Sequence, residues 1–217
     1  MTQRKIGILG SGMVAQTLGA GFIKHGDIVT LGTRDPKKLG AWMTRTEGKG
    51  LVGSFEQAAG FADIVVLAVS GRAAEALVRS LGSLLDGRLI IDATNPISEE
   101  PAENGVLHFF TDLKTSLMER LQQAAPKARF VKAFSCVGSA FMVDPVFEAG
   151  KPTMFICGDD EAAKKEVEDI LDTFGWEYED MGGVQAARAI EPLCMLWCIP
   201  GLRSNSWGHA FKLLKAR

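Results

Sequence analysis

Short runs that are apolar at nearly every position alternate along this chain with longer stretches whose apolar residues recur every three or four positions. Lys5–Gly10, Ile28–Gly32, Leu51–Gly53, Ile64–Val69 and Leu89–Asp92 read as strands. Between them, Met13–Lys24 carries Met13, Val14, Thr17, Leu18 and Gly21 at helical spacing. Lys37–Arg45 is opened by Asp35-Pro36, a short helix is capped by Ser54 with Gln57 three residues on, and Ala73–Leu81 is helical. Strands apolar at every position need cover on both faces, so the pattern predicts a mainly parallel sheet with helices on each side. A connection from Ala93 to Phe110, rich in Pro, Glu, Asn and Gly, leads through Thr111 into a helix ending near Ala125-Pro126. Phe130–Phe134 reads as a sixth strand, followed by Thr153–Cys157 (strand), Asp160–Phe174 (helix) and Trp176–Asp180 (strand). A last helical region runs from Val184 to Lys215, interrupted by Pro200-Gly201.

The first strand runs straight into Gly10-Ser11-Gly12-Met13-Val14-Ala15, a G-x-G-x-x-A turn that opens the first helix. Gly10 suits a tight turn, Gly12 lets backbone approach a pyrophosphate, and Ala15 allows close packing of helix on strand. Unpaired amides at the helix start then meet phosphate charge. The fold class is therefore α/β, a Rossmann-type doubly wound sheet over residues 1–136, with a small C-terminal α/β extension over 137–217. About 20 residues past the glycines, where an NAD enzyme usually has Asp or Glu, stand Thr33 and Arg34, with Lys38 a turn onward. A hydroxyl and two cations suit a 2′-phosphate, so the cofactor expected is NADP. Asp35 before Pro36 reads as a helix cap, with a bond to a ribose hydroxyl as the other option.

In such sheets ligands sit outside the carboxyl ends of the strands. The candidates there are Ala68-Val69-Ser70, Asn95-Pro96 and Ala133-Phe134, where small residues let a nicotinamide lie against backbone and Asn95 can bond its ribose or carboxamide. Neither a Ser-His-Asp nor a Lys-Asp constellation is evident at these strand ends. Formal charge is −2 with both signs interspersed, which gives no footprint for nucleic acid or an anionic membrane. No apolar run has the length of a signal peptide core or a membrane span, so a cytoplasmic protein is expected. Cys136, Cys157, Cys194 and Cys198 suggest neither a disulfide framework nor a metal shell. Cys136 reads as a small buried thiol, and His25 and His209 as structural or solvated. His108 lies in a loop that can approach a ligand.

Taken together, Ile8–Ala15, Thr33-Arg34, Ile91–Pro96, Val131–Phe134, Gly182–Arg188 and Glu191-Pro192-Leu193 resemble the family of coenzyme F420-dependent NADP oxidoreductases. The resemblance implies an NADP-binding Rossmann domain, a C-terminal part completing an acceptor cleft, and a homodimer. It also implies hydride transfer between NADPH and a small-molecule acceptor, a flavin or a deazaflavin such as F420. Ser135 and Cys136 stand where members with deazaflavin activity often have Asn and Thr, which leaves the acceptor open. Hydride transfer needs the protein chiefly to stack two rings, so no acid–base residue is required. Apolar residues of Val137–Val146 and the helix around Met195, Leu196 and Trp197 line the acceptor side, with core or dimer packing as the other reading of the Met and Trp stripe. Two other readings stay open: a reductase of imines or hydroxy acids, and a protein that senses NADPH without turning it over.

Overall fold

The computed structural model describes residues 3–216 of the 217. Six parallel strands form the main sheet: β1 (Lys5–Leu9), β2 (Ile28–Gly32), β3 (Leu51–Gly53), β4 (Ile64–Leu67), β5 (Leu89–Asp92) and β6 (Arg129–Lys132). Their order, β3-β2-β1-β4-β5-β6, reverses direction between β1 and β4. That is the doubly wound arrangement, with its switch point beside the glycine turn. Side chains alternate across the sheet, so Ile6, Ile8, Ile64 and Val66 enter one core layer while Val65 and Leu67 enter the other. The first layer is closed by Leu18 and Phe22 of α1 (Met13–Lys24) and by Val167 and Ile170 of α6 (Glu161–Thr173). The second is closed by Ala58 and Ala59 of α3 (Phe55–Phe61), Ala74 and Val78 of α4 (Gly71–Leu81) and Leu117 and Leu121 of α5 (Leu117–Ala124). Two-sided cover is why these strands carry no polar face.

After β2, Asp35 accepts a hydrogen bond from the Lys37 amide and opens a 3-10 turn, Pro36–Leu39, that leads into α2 (Gly40–Arg45). The predicted helix over 37–45 is thus two short pieces. The helix expected to follow Thr111 begins later, at Leu117. Ser116 and Glu119 form a reciprocal capping box there, and Glu191 accepts from the Leu117 and Met118 amides, each at 3.0 Å. Those bonds satisfy the exposed donors of the first turn and fix the start.

The C-terminal part adds β7 (Thr153–Ile156) and β8 (Glu177–Asp180), a parallel pair joined through α6, and α7 (Ala187–Ser204). The Lys132 amide donates to the Cys157 carbonyl at 2.9 Å, tying β6 to the end of β7. The break expected at Pro200-Gly201 does not occur. α7 runs through both Pro192 and Pro200 and ends at Asn205 in a left-handed cap. Each proline removes one backbone bond, and burial of Ile190, Cys194 and Trp197 offsets the loss. The residues beyond Asn205 are not helical either. They turn back as a strap in which Trp197 donates to the His209 carbonyl at 2.9 Å and Thr153 to the Phe211 carbonyl at 2.9 Å.

Candidate functional site

Register delivers the site. Leu9 pairs with Gly32 on one side and Leu67 on the other, so β1, β2 and β4 end in line and their following residues emerge side by side. Gly10 there has φ +145°, and a Cβ on it would collide with the Ala68 carbonyl. Its amide donates to the Gly32 carbonyl at 2.9 Å. Only glycine fits a backbone so placed. Gly12 differs: it is the N-cap of α1 in an ordinary extended conformation, and no protein atom lies within 4 Å of a Cβ built on it. The protein's own packing therefore leaves room for a side chain at Gly12. No side chain caps α1 and no acid lies in its first turn, so its leading amides face the cleft unpaired. α4 likewise begins at Ser70 without a side-chain cap.

The cleft above these turns has a volume of about 610 Å³. It gathers Gly10, Ser11, Gly12, Thr33, Arg34, Lys38, Ala68, Val69 and Ser70, together with Glu56 and Phe55 of α3. Arg34 and Lys38 are exposed, while Thr33 is buried and accepts from the Asp35 amide at 3.1 Å. The helix-cap reading of Asp35 matches its bond to Lys37. Met13 and Val14 face away from this cleft. Met13 is 73% exposed and Val14 packs on the core, so these two residues have only backbone amides to offer.

Asn95, Pro96, Ala133 and Phe134 lie further along the same edge and do not line the cleft. Asn95 Nδ2 donates to the Ser135 carbonyl at 2.7 Å, and the Pro96 carbonyl accepts from the Phe110 amide at 2.9 Å. Asn95 Oδ1 and Ser135 Oγ are buried with no partner. Ala133 and Phe134 are core residues, and Phe134 holds φ +62°, the left-handed region, as the chain turns off β6. Burial pushes the Cys136 thiol up to about 12, which keeps it protonated and disqualifies it as a nucleophile.

The sequence reading missed one constellation. Asp92 and Lys132 are cross-strand partners at the ends of β5 and β6, and they do form a Lys-Asp pair. Lys132 Nζ lies 2.7 Å from Asp92 Oδ2, 3.0 Å from Glu191 Oε1 and 2.9 Å from the Thr94 carbonyl, fully buried. Burial pulls the Lys132 pKa down, but the attraction of Asp92 and Glu191 outweighs it and holds the group above the usual lysine range. Lys132 donates to the Thr94 carbonyl and is enclosed beside the two carboxylates with no solvent exposure, so it is not placed to protonate a substrate. A signal was present: one lysine inside the apolar run Phe130–Phe134 has to find a buried partner.

Beyond this cluster lies a groove of about 540 Å³ between the hairpin spanning 97–109 and α7. His108 lines it, as do Glu103, Asp112, Arg188, Pro192 and Met195. Arg188 holds Glu119 in a two-pronged ion pair that brings the Glu119 carboxyl down to about 2. Trp197 belongs to the core and stacks on His209, and Leu196 is exposed. The 3-10 turn Ser139–Phe141 and Val143 pack against α1. Among the described residues no group of His, Cys, Asp or Glu is arranged to hold a metal, and no helix is long and apolar enough to cross a membrane.

Residues 5–96 match the family described as NADP oxidoreductase, coenzyme F420-dependent. Over nearly the whole chain the fold matches a crystal structure of a candidate F420-dependent NADP reductase from Arthrobacter sp. FB24. The TM-score is 0.91 at 28% identity, covering 98% of this chain and 100% of that one. Metalloreductase STEAP3 of Rattus norvegicus is 30% identical over 202 residues, 91% of this chain. The chain spans only 38% of that relative's length. An imine reductase of Streptomyces aurantiacus shares the fold, with a TM-score of 0.66 at 16% identity, covering 92% of this chain and 63% of that one. Residues 5–96 thus match the family of coenzyme F420-dependent NADP oxidoreductases, and nearly the whole chain shares the fold of a candidate F420-dependent NADP reductase.

Proposed function

We propose that this chain is a reductase that moves hydride between NADPH and a flavin or deazaflavin, working in the cytoplasm as a homodimer. One observation carries the cofactor reading: the uncapped start of α1 and the cations Arg34 and Lys38 share one cleft. The spacing suits a dinucleotide, with pyrophosphate on the amides after Gly12 and a 2′-phosphate beside Thr33, Arg34 and Lys38. Bound NADPH would supply a hydride, and the acceptor would take that hydride together with one solvent proton.

The protein's own part is positional. Gly10 sets the turn, α1 and α4 present their unpaired amides, and the Asp92–Lys132–Glu191 cluster fixes the strand ends that carry Asn95. A lysine proton donor of the kind an imine or hydroxy-acid reductase would use is not supplied by Lys132, which is fully buried beside Asp92 and Glu191.

The test is turnover. The protein is mixed with NADPH and, separately, with F420, FMN, FAD, riboflavin and a ferric chelate, and loss of reduced-nicotinamide absorbance is followed. Consumption of NADPH with a flavin or deazaflavin is expected. Saturable NADPH binding with no consumption on any acceptor would replace the reductase with a sensor.

A further inference from the structure

We infer that Glu56, on the first turn of α3, reads the base of the bound dinucleotide: its carboxylate accepts from an exocyclic amino group and so selects a 6-amino purine over a 6-oxo one. The inference deepens the NADP reading of the first cleft and rests on it.

Placement follows from register. β3 is the outermost strand, with β2 between it and β1, and Gly32 pairs with Gly53. The Thr33 amide donates to the Gly53 carbonyl at 3.0 Å, so the two chains leave the sheet tied together. Ser54, Phe55 and Glu56 therefore emerge beside Thr33 and Arg34, on the side away from Gly10 and about two strand spacings, or roughly 10 Å, from it. A dinucleotide with its pyrophosphate on the amides after Gly12 and its 2′-phosphate by Arg34 extends its purine toward this end of the cleft.

The walls here suit a flat ring. Ala73, Ala76 and Leu77 of α4 line the cleft at helical spacing, and Phe55 lines it from α3. Both alanines are exposed, so a ring can lie close against the helix. Ser80 also lines this wall, but its hydroxyl donates to the Leu77 carbonyl at 2.8 Å.

Two acids face the cleft, and they differ in what holds them. Asp35 accepts from the Lys37 amide and caps the turn at Pro36. The Glu56 carboxyl is held below the usual carboxylate range by the Ser54 hydroxyl and then by its own backbone amide, and among the described residues no cation adds to that pull. An ionised carboxylate can only accept. In a cleft built for phosphate it repels the ligand unless it meets a donor. NADP carries two amino groups, one on the nicotinamide carboxamide and one on C6 of adenine. The carboxamide lies at the opposite end of the molecule, so the adenine amino group is the donor left for Glu56. A 6-oxo purine would set a carbonyl against the carboxylate, acceptor facing acceptor, and a site built for an N–H donor rejects such an analogue.

NADPH and its hypoxanthine counterpart, in which a 6-oxo group replaces the 6-amino group, are the probes. Each is titrated against wild type, Glu56→Ala and Glu56→Gln, with binding read from the fluorescence of the reduced nicotinamide. Glu56 is exposed and lies outside the reciprocal Ser54–Gln57 box, so both variants keep the cap of α3. Wild type should bind NADPH at least about tenfold tighter than the hypoxanthine nucleotide, the effect of one charge-assisted bond. Glu56→Ala should bring the two nucleotides within about twofold of each other. Glutamine can donate as well as accept, so Glu56→Gln should bind the hypoxanthine nucleotide at least about tenfold tighter than wild type does. Equal binding of the two nucleotides by wild type would overturn the inference. So would a Glu56→Ala variant that weakens both alike and keeps their ratio, the mark of a merely structural role. Either result beside normal NADPH binding by wild type refutes the base reading alone, whereas failure of wild type to bind NADPH refutes the cofactor reading and the inference with it.

Discussion

Replacing Lys132 by Met should lower stability by about 3–5 kcal/mol, the usual consequence of removing one member of a buried ion cluster. Lys132 has no solvent exposure, and without it Asp92 and Glu191 face each other as buried carboxylates. For a chain of this size that is a fall in melting temperature of about 6–20 °C. Glu191 keeps its bonds to the α5 amides, so the double variant Asp92→Asn, Lys132→Met should recover part of the loss. The pH behaviour has a definite sign. The folded-state pKa of Lys132 is raised, so its contribution is complete below the unfolded lysine value of about 10.4 and fades only as pH climbs above it. Thermal melts at neutral pH test this, and a Lys132→Met variant within about 1 kcal/mol of wild type would contradict it.

The two glycines of the first turn should separate folding from binding. Gly10→Ala puts a Cβ against the Ala68 carbonyl at φ +145°, a conformation that costs a non-glycine residue about 1–3 kcal/mol before the clash is counted. We expect loss of stability together with loss of NADPH affinity. Gly12→Ala meets no protein atom and sits at φ −76°, so its stability should stay within about 0.5 kcal/mol of wild type. Its methyl would occupy the approach to the pyrophosphate, where crowding of about 1–3 kcal/mol lowers NADPH affinity about 5- to 150-fold. Melts and NADPH titrations on both variants check the pair. A Gly12→Ala variant that binds NADPH normally would remove pyrophosphate from this turn.

Much of the architecture was legible because its determinants are local. Runs such as Ile64–Leu67 show two-sided burial in their composition, and Ser54 with Gln57 announces its helix by a box that the structure closes reciprocally. Gly10, Thr33, Arg34 and Ala68 follow strands that end in register, so a sequence rule about strand ends brings them together correctly.

What depended on distant partners was harder to see. Leu117 starts α5 partly because Glu191 arrives from α7, and α7 tolerates Pro200 because Trp197 and Cys194 are buried beneath it. The Asp92–Lys132–Glu191 cluster joins three segments, of which only β5 and β6 are predictable neighbours. Phe134 stands among the strand-end candidates for nicotinamide contact. Its left-handed turn instead directs the ring into the core beside Phe174.

The central claim, that the first cleft is built for NADP, is tested most directly by titrating wild type and Arg34→Ala with NADPH and with NADH. A charge-assisted bond to the 2′-phosphate is worth about 1.5–3 kcal/mol, so wild type should prefer NADPH by about ten- to a hundredfold. Arg34→Ala should remove most of that preference and leave NADH binding nearly unchanged. Equal loss of affinity for both nucleotides, or wild-type binding that favours NADH, would contradict the account.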